Sequence, residues 1–160
     1  MTINVGDKLP DAVFMEMTEN GPEPRKTSDI FAGKTVALFA VPGAFTPTCS
    51  AKHLPGFIDN AATLQDKGID DIVCTSVNDV FVMNAWGDHS NAKGKVRMLA
   101  DGNGAFAKAC GLEMDASGFG MGARSKRYSM IVKDGVVDKL NVEDGGEFKV
   151  SSADYMLGQI

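Results

Sequence analysis

The residue best suited to chemistry in this chain is Cys49, which follows an apolar run at 36–41 and precedes a segment of helical character. Thr46 and Pro47 predict that a helix begins here, with Thr46 as its N-cap and Pro47 as its first residue. Cys49 then lies in the first helical turn, where backbone N–H groups lack intrahelical partners and the helix dipole favours an anion. The sequence therefore predicts a reactive thiolate.

A helix terminus alone gives this thiolate too little stabilisation. A free cysteine has a pKa near 8.5, and a thiol that is largely ionised at neutral pH needs a shift of roughly 2 to 3 units, or about 3 to 4 kcal/mol. A helix terminus supplies roughly 0.3 to 1 kcal/mol, and up to about 2 in favourable geometry. A cationic partner is therefore expected from Arg124, Lys126 or Arg127, which lead into an apolar segment at 128–132. A guanidinium there would stay charged and could bond both the sulfur and an oxygen ligand.

Other reactive residues are expected to have structural roles. His53 lies four residues after Cys49 on the same helical face, which would suit a Cys–His pair, but a structural or local hydrogen-bonding role is expected. Cys74 lies in an apolar run that indicates core packing, and Cys110 lies near a helix end. The histidines and cysteines lack the spacing of a metal site, so no bound metal is expected. The glycines of 118–122 precede a strand and lack a Lys-Ser or Lys-Thr ending, which argues against a phosphate loop.

The elements that must position Cys49 predict an α/β fold with a central mixed sheet flanked by helices. Strands are expected at 12–17, 35–41, 70–77, 96–100, 127–133 and 136–142, a loop at 20–24, and helices near 28–31, 47–67, 79–91, 104–109 and 152–157. Pro55 is expected to kink the long helix, and Asn78 to cap the next one. A right-handed βαβ unit followed by a hairpin at Asp134-Gly135 suggests a thioredoxin-like fold. Cys49 then follows the carboxyl end of a strand, where ligands bind in open α/β sheets.

Bulk composition predicts one small domain, residues 1–160, with 44% hydrophobic residues. The net charge is −5 and the basic residues are scattered, so neither nucleic acid nor a membrane surface is expected as a partner. The N-terminus lacks a basic segment followed by an apolar one, and no apolar stretch approaches the roughly 18 residues that span a bilayer, so a cytoplasmic location is expected. Three cysteines in such a chain fit a reducing compartment with at least one functional thiol.

The pattern formed by Pro42, Thr46 and Cys49 is Pro-x-x-x-Thr-x-x-Cys, and with it the chain resembles the peroxiredoxins, in particular the peroxiredoxin-five subgroup that includes the plant type-II enzymes. Further matching motifs are His53-Leu54-Pro55-Gly56-Phe57, Ser76-Val77-Asn78-Asp79, Ala85-Trp86, Arg127-Tyr128-Ser129 and Leu140-Asn141-Val142-Glu143. The resemblance implies that Cys49 is the peroxidatic cysteine, Thr46 holds the peroxide and Pro42 shields the thiolate. It also implies that Arg127 is the essential arginine, so Arg124 and Lys126 are expected to be surface or interface charges.

The resemblance implies a thiol-dependent peroxidase that reduces hydrogen peroxide and small alkyl hydroperoxides through a Cys49 sulfenic acid, without a prosthetic cofactor. No cysteine stands near Ser151 and Ser152, where animal members of the subgroup carry a resolving thiol. A one-cysteine cycle regenerated by glutathione and glutaredoxin is therefore expected, with thioredoxin as the other candidate reductant. A homodimer is also implied. The alternative function is a non-enzymatic peroxide sensor or thiol-based redox relay protein, whereas a dithiol oxidoreductase would need a second cysteine close to Cys49.

Overall fold

The computed structural model describes residues 2–160, which form two sheets and six α-helices. The strands are β1 (Val13–Thr18), β2 (Gly21–Lys26), β3 (Thr35–Ala40), β4 (Asp71–Ser76), β5 (Arg97–Ala100), β6 (Glu113–Asp115), β7 (Ala123–Ser125), β8 (Tyr128–Lys133) and β9 (Val136–Val142). The helices are α1 (Thr27–Phe31), α2 (Leu54–Asp59), α3 (Ala61–Asp66), α4 (Val80–His89), α5 (Ala105–Ala109) and α6 (Ala153–Leu157). A π-helical turn at Cys49–His53 leads into α2.

The main sheet has seven strands in the order β2-β1-β5-β4-β3-β8-β9, and β6 pairs with β7 separately. At its centre, β3 runs parallel to β4 and antiparallel to β8. The expected α/β fold with a mixed sheet is confirmed, as is the β8–β9 hairpin. Its turn residues Asp134 and Gly135 both have positive φ, at 48° and 78°, as a two-residue hairpin turn of the favoured type requires.

The central strand β3 is apolar along almost its whole length because both of its faces are covered. Alternate side chains point to opposite sides of a sheet, so Ala37 and Phe39 enter one hydrophobic cluster while Val36 and Leu38 enter the other. The first cluster packs the sheet against α2, α3, α4 and α6 and contains Cys49. Cys49 therefore lies within one of the two hydrophobic clusters that cover the sheet.

Two local expectations were wrong. The segment 20–24 is a turn followed by β2, whose Pro22 and Pro24 are tolerated because β2 is an edge strand that pairs only with β1. Asp79, not Asn78, caps α4 by accepting the Val82 N–H at 2.9 Å. The Asn78 side chain instead accepts the Ala44 N–H at 2.9 Å, which fixes the loop before Cys49.

The expected single helix at 47–67 is divided into the π-helical turn, α2 and α3. The irregularity lies next to Pro55, as expected of a residue that has no N–H for the helical hydrogen-bond ladder. In the π-helical turn the Leu54 N–H bonds the Cys49 carbonyl five residues earlier, so the backbone is wider here than in an α-helix. The short ribbon of β6 and β7 was not anticipated.

Candidate active site

Cys49 opens the π-helical turn, and its side chain is fully buried. The helix begins at Pro47 as the sequence predicts, and the Ser50 N–H donates to the Thr46 carbonyl at 2.9 Å. The expected side-chain cap is not formed within residues 2–160, because the Thr46 hydroxyl donates to Gly43 and accepts no backbone N–H. The loop that leaves the carboxyl end of β3 leads directly to Cys49. The thiol is thus held by the first turn of a helix and enclosed by apolar neighbours.

Arg127 is the cation that reaches the sulfur. It immediately precedes β8, and the pairing of Tyr128 with Ala40 places it beside the end of β3 from which the Cys49 loop departs. Its Nη2 donates to Cys49 Sγ at 3.0 Å. A guanidinium keeps its charge at any relevant pH, so the sulfur lies against a permanent cation. Two residues 78 positions apart are therefore joined as the sequence analysis expected.

His53 holds the other side of Arg127. The Arg127 Nη1 donates to His53 Nδ1 at 2.9 Å, and His53 Nε2 lies 2.9 Å from the Ser151 carbonyl. A guanidinium can only donate, so Nδ1 carries the lone pair and Nε2 carries the hydrogen that Ser151 accepts. Burial, reinforced by the Arg127 charge, lowers the pKa of His53 from 6.5 to about 3. His53 therefore stays neutral at neutral pH, and no hydrogen bond joins it to Cys49 within residues 2–160.

Pro42 and Thr46 belong to the loop that connects β3 to Cys49. The Thr46 hydroxyl donates to the Gly43 carbonyl at 2.7 Å, so its lone pairs remain free to accept a hydrogen bond. Thr46 lies three residues before Cys49, which puts both side chains on the same face of the first turn. Pro42 is half-buried and lies two residues after the end of β3. No hydrogen bond joins Thr46 to the Cys49 sulfur in the described part of the chain.

Gly43 is a residue of this loop whose importance the sequence analysis missed. A Cβ at this position would lie 3.0 Å from Met121 Cε and 3.2 Å from Thr46 Cγ2, so a larger residue here would require these two side chains to shift by a few tenths of an ångström. The signal available in the sequence was the Pro42-Gly43 pair, since such a pair marks a turn after a strand.

Arg124 differs from the expected surface charge, whereas Lys126 is exposed as expected. The Arg124 guanidinium is half-buried and donates to the Met121 carbonyl at 2.9 Å and the Val77 carbonyl at 3.1 Å. These bonds tie the ribbon of β6 and β7 to the chain that leaves β4. Both contacts are with main-chain oxygens, so Arg124 supports the wall of the site while Arg127 contacts the sulfur.

The other two cysteines are buried and free. Burial raises the pKa of Cys74 well above its ordinary value, with a further contribution from the nearby Cys49, and raises the pKa of Cys110 to about 12. Both are therefore neutral thiols at neutral pH, and only Cys49 contacts a cation through its sulfur in residues 2–160.

Two further features of the described residues bear on function. Residues 2–160 contain no group of three or more His, Cys, Asp or Glu side chains arranged to hold a metal ion. Within the same range, every helix is too short or too polar to cross a lipid bilayer.

Comparison with known proteins places this site in a family. The redoxin family model matches residues 4–157. Peroxiredoxin-2B of Arabidopsis thaliana is 49% identical over 156 residues, covering 97% of this chain and 96% of the relative. The structure of reduced Prx3 of Vibrio vulnificus in complex with H2O2 is 52% identical, covers 99% of each chain and superposes with a TM-score of 0.96. Peroxiredoxin 5 of Alvinella pompejana is 34% identical, with a TM-score of 0.85 and coverage of 97% and 96%.

The chain belongs to the redoxin family, and its fold is thioredoxin-like, as the sequence predicted. Within that family its relatives are peroxiredoxins of the plant type-II and peroxiredoxin-five groups, which confirms the resemblance carried by the Cys49 motif. The protein is a peroxiredoxin, and peroxiredoxins are thiol peroxidases.

Proposed function

We propose that this peroxiredoxin reduces hydrogen peroxide and small alkyl hydroperoxides with Cys49 as the nucleophile and Arg127, Thr46 and Pro42 as its active-site partners. The observation that carries the proposal is the 3.0 Å contact from Arg127 Nη2 to Cys49 Sγ. A buried thiol that contacts a permanent cation at a helix start has the surroundings of a reactive cysteine, unlike Cys74 and Cys110.

In the proposed reaction, the Cys49 thiolate attacks one peroxide oxygen, a sulfur–oxygen bond forms and the oxygen–oxygen bond breaks. Sulfur is oxidised by two electrons to a sulfenic acid, and the leaving oxygen takes a proton and departs as water or an alcohol. Thr46, with its hydrogen committed to Gly43, accepts a hydrogen bond from the hydroperoxide and orients it. Arg127 stabilises negative charge as it moves from the sulfur to the leaving oxygen. Pro42 shields the thiolate from solvent.

Reduction of the sulfenic acid requires access to a side chain that is fully buried. We propose that the π-helical turn unwinds locally after oxidation. The hydrogen bond from Trp86 Nε1 to Ser50 Oγ at 3.0 Å would break in this step. Glutathione then attacks the sulfenic sulfur and releases water, and a second thiol, of glutathione or glutaredoxin, reduces the mixed disulfide to regenerate Cys49.

A one-cysteine cycle is favoured because Cys74 and Cys110 are buried and neutral. We further propose a cytoplasmic location, for which three free thiols argue because a reducing compartment preserves them. A homodimer is also proposed. The exposed aromatic side chains of Phe45, Phe81 and Phe119 support it, since exposed apolar surface marks interfaces.

The test is peroxide consumption by wild type, Cys49→Ser, Cys74→Ser and Cys110→Ser, with glutathione plus glutaredoxin and separately with thioredoxin plus its reductase. We expect turnover in the glutathione system to vanish in Cys49→Ser alone. Retained turnover in Cys49→Ser would overturn the mechanism, and loss in a folded Cys74→Ser or Cys110→Ser would indicate a resolving thiol. A single oxidation without multiple turnovers in either system would favour the peroxide sensor or relay.

A further inference from the structure

Glu143 lies just after β9, and its buried carboxylate accepts hydrogen bonds from the loop at 144–151. It is 6% exposed. Its oxygens accept the backbone N–H groups of Lys149 at 2.9 Å, Val150 at 2.9 Å and Ser151 at 2.7 Å, together with the Ser151 hydroxyl at 2.6 Å. Burial raises the pKa of Glu143, but these hydrogen bonds outweigh it, so the pKa is lowered overall and the carboxylate is anionic at neutral pH. Successive N–H groups aimed at one anion define the path of the backbone closely.

The loop held by Glu143 leads directly to the active site. Ser151 donates both its N–H and its hydroxyl hydrogen to Glu143. Its carbonyl accepts the hydrogen of His53 Nε2 at 2.9 Å. His53 in turn accepts from Arg127, and Arg127 donates to Cys49. A continuous series of hydrogen bonds therefore connects the Glu143 carboxylate to the reactive sulfur.

The same loop makes a second contact with this series. The Phe148 ring lies 5.0 Å from the His53 ring and 5.8 Å from Arg127 Cζ, in cation–π range. Glu143 also bonds through its own backbone, because its N–H donates to the Arg127 carbonyl at 2.9 Å. This segment therefore contacts Arg127 twice, at the guanidinium through Phe148 and at the main chain through Glu143. Glu143 is the only buried anionic side chain in the segment 143–151.

We propose that Glu143 is a positioning residue for the peroxidase reaction, acting through Ser151 and neutral His53 to hold the Arg127 guanidinium against Cys49. This inference rests on the proposed function of Cys49. Fixing the Ser151 carbonyl fixes the His53 tautomer with hydrogen on Nε2, which leaves Nδ1 as an acceptor for Arg127. Without that acceptor the guanidinium can rotate away from the sulfur, since an arginine side chain has many rotamers.

The test compares Glu143→Gln and Glu143→Asp with wild type. Gln places an amide NH2 among backbone donors and so breaks the clamp, whereas Asp keeps the charge with a shorter reach. The first readout is the ultraviolet absorbance of the Cys49 thiolate against pH, taken as the difference from the same protein carrying Cys49→Ser. The second readout is the second-order rate constant with hydrogen peroxide. The groups that face Cys49 in this titration are Arg127 and Cys74, and His53 faces it through Arg127.

For Glu143→Gln we expect the thiolate midpoint to move up by about one pH unit and the peroxide rate constant below that midpoint to fall about tenfold, because one unit changes the thiolate fraction tenfold. Glu143→Asp should recover part of both losses. Removing the Glu143 negative charge alone would move the midpoint in the opposite direction, so an upward shift separates lost positioning from a change in local charge.

Asp101 supplies a matched control, since it is also a buried carboxylate that accepts backbone N–H groups, from Phe106 and Ala107. Asp101→Asn should lower thermal stability without moving the thiolate midpoint. Two His53 variants test the next step and keep the proposal falsifiable if Glu143→Gln does not fold. His53→Gln retains a donor toward Ser151 but lacks the Nδ1 acceptor and should reproduce the Glu143→Gln shift, whereas His53→Asn offers Oδ1 to Arg127 and should shift less.

An unchanged midpoint and rate constant in folded Glu143→Gln would overturn the proposal, as would no shift in folded His53→Gln. The thiolate titration needs no turnover, so its outcome is independent of the peroxidase assay. If wild type lacks Cys49-dependent turnover, the proposed function fails while the titration still reports on the positioning of Arg127.

Discussion

Acid should weaken this fold through His53 at a pH where most carboxylates are still ionised. The His53 ring is buried, and both of its nitrogens are bonded only in the neutral form: Nδ1 accepts from Arg127 and Nε2 donates to Ser151. Protonation of Nδ1 would bring two donors together beside the Arg127 charge. The folded protein therefore resists a proton that the unfolded chain binds readily.

The size of this effect follows from the pKa of His53, which is about 3 in the folded protein against 6.5 for an ordinary histidine. A depressed pKa contributes stability that is fully present above pH 6.5 and is lost as pH falls toward 3, because the unfolded state binds more protons throughout that window. At about pH 5 the loss is about 2 kcal/mol relative to about pH 8, and it approaches about 5 kcal/mol below pH 3.

The measurement is the free energy of unfolding in urea at about pH 8 and about pH 5 for wild type and His53→Gln. Glutamine does not titrate, and the exposed His89 and all carboxylates are common to both proteins, so their contributions cancel. We expect the stability difference between wild type and variant to shrink by about 2 kcal/mol at the lower pH. The same pH dependence in both proteins would refute the assignment of a buried neutral His53.

Two predictions concern Arg127 and the opening of the site. Arg127→Gln should lower the peroxide rate constant by about 10² to 10³, because it removes the cationic donor to the sulfur and to the leaving oxygen. Arg127→Lys keeps the charge and should lower the rate constant less, but still below wild type, because one ammonium cannot replace the two-sided contact of a guanidinium with Cys49 and His53. Rates equal to wild type in both variants would contradict this role of Arg127. Trp86 is the only tryptophan and bonds Ser50, so one equivalent of peroxide should change its fluorescence in wild type but not in Cys49→Ser. Sulfenic acid detected by mass spectrometry with unchanged fluorescence would count against unwinding of the π-helical turn.

Local signals in the sequence predicted much of the fold. The hairpin at Asp134-Gly135 was predictable because its two positive φ values call for these residue types. A last helix was expected at 152–157; the structure has it at Ala153–Leu157, with Ser152 as its N-cap, whose hydroxyl accepts the Tyr155 N–H. Edge strand β2 was missed because Pro22 and Pro24 argue against a strand unless one edge is known to face solvent. That condition depends on strand order, which no local pattern contains.

In the candidate site, too, local sequence patterns predicted some features and could not predict others. The identity of Cys49 and its place at a helix start depend on residues within one turn of it, and the family pattern added Arg127. Local patterns did not predict that Arg127 also donates to His53, or that His53 bonds Ser151, because these contacts join residues 74 and 98 positions apart. The roles of Arg124 and Gly43 in the wall of the site were missed for the same reason.

By itself the sequence determined where the proposed nucleophile lies, since prolines and apolar periodicity act over a few residues and place the Cys49 thiol just beyond the end of a central strand. Only the tertiary structure decided which charged and polar groups surround that thiol. The register of β8 on β3 brings Arg127 to the sulfur, and the loop held by Glu143 brings Ser151 to His53. Charge and burial at Cys49 are sums over neighbours from distant parts of the chain, so they exist only once the sheet and its loops have assembled.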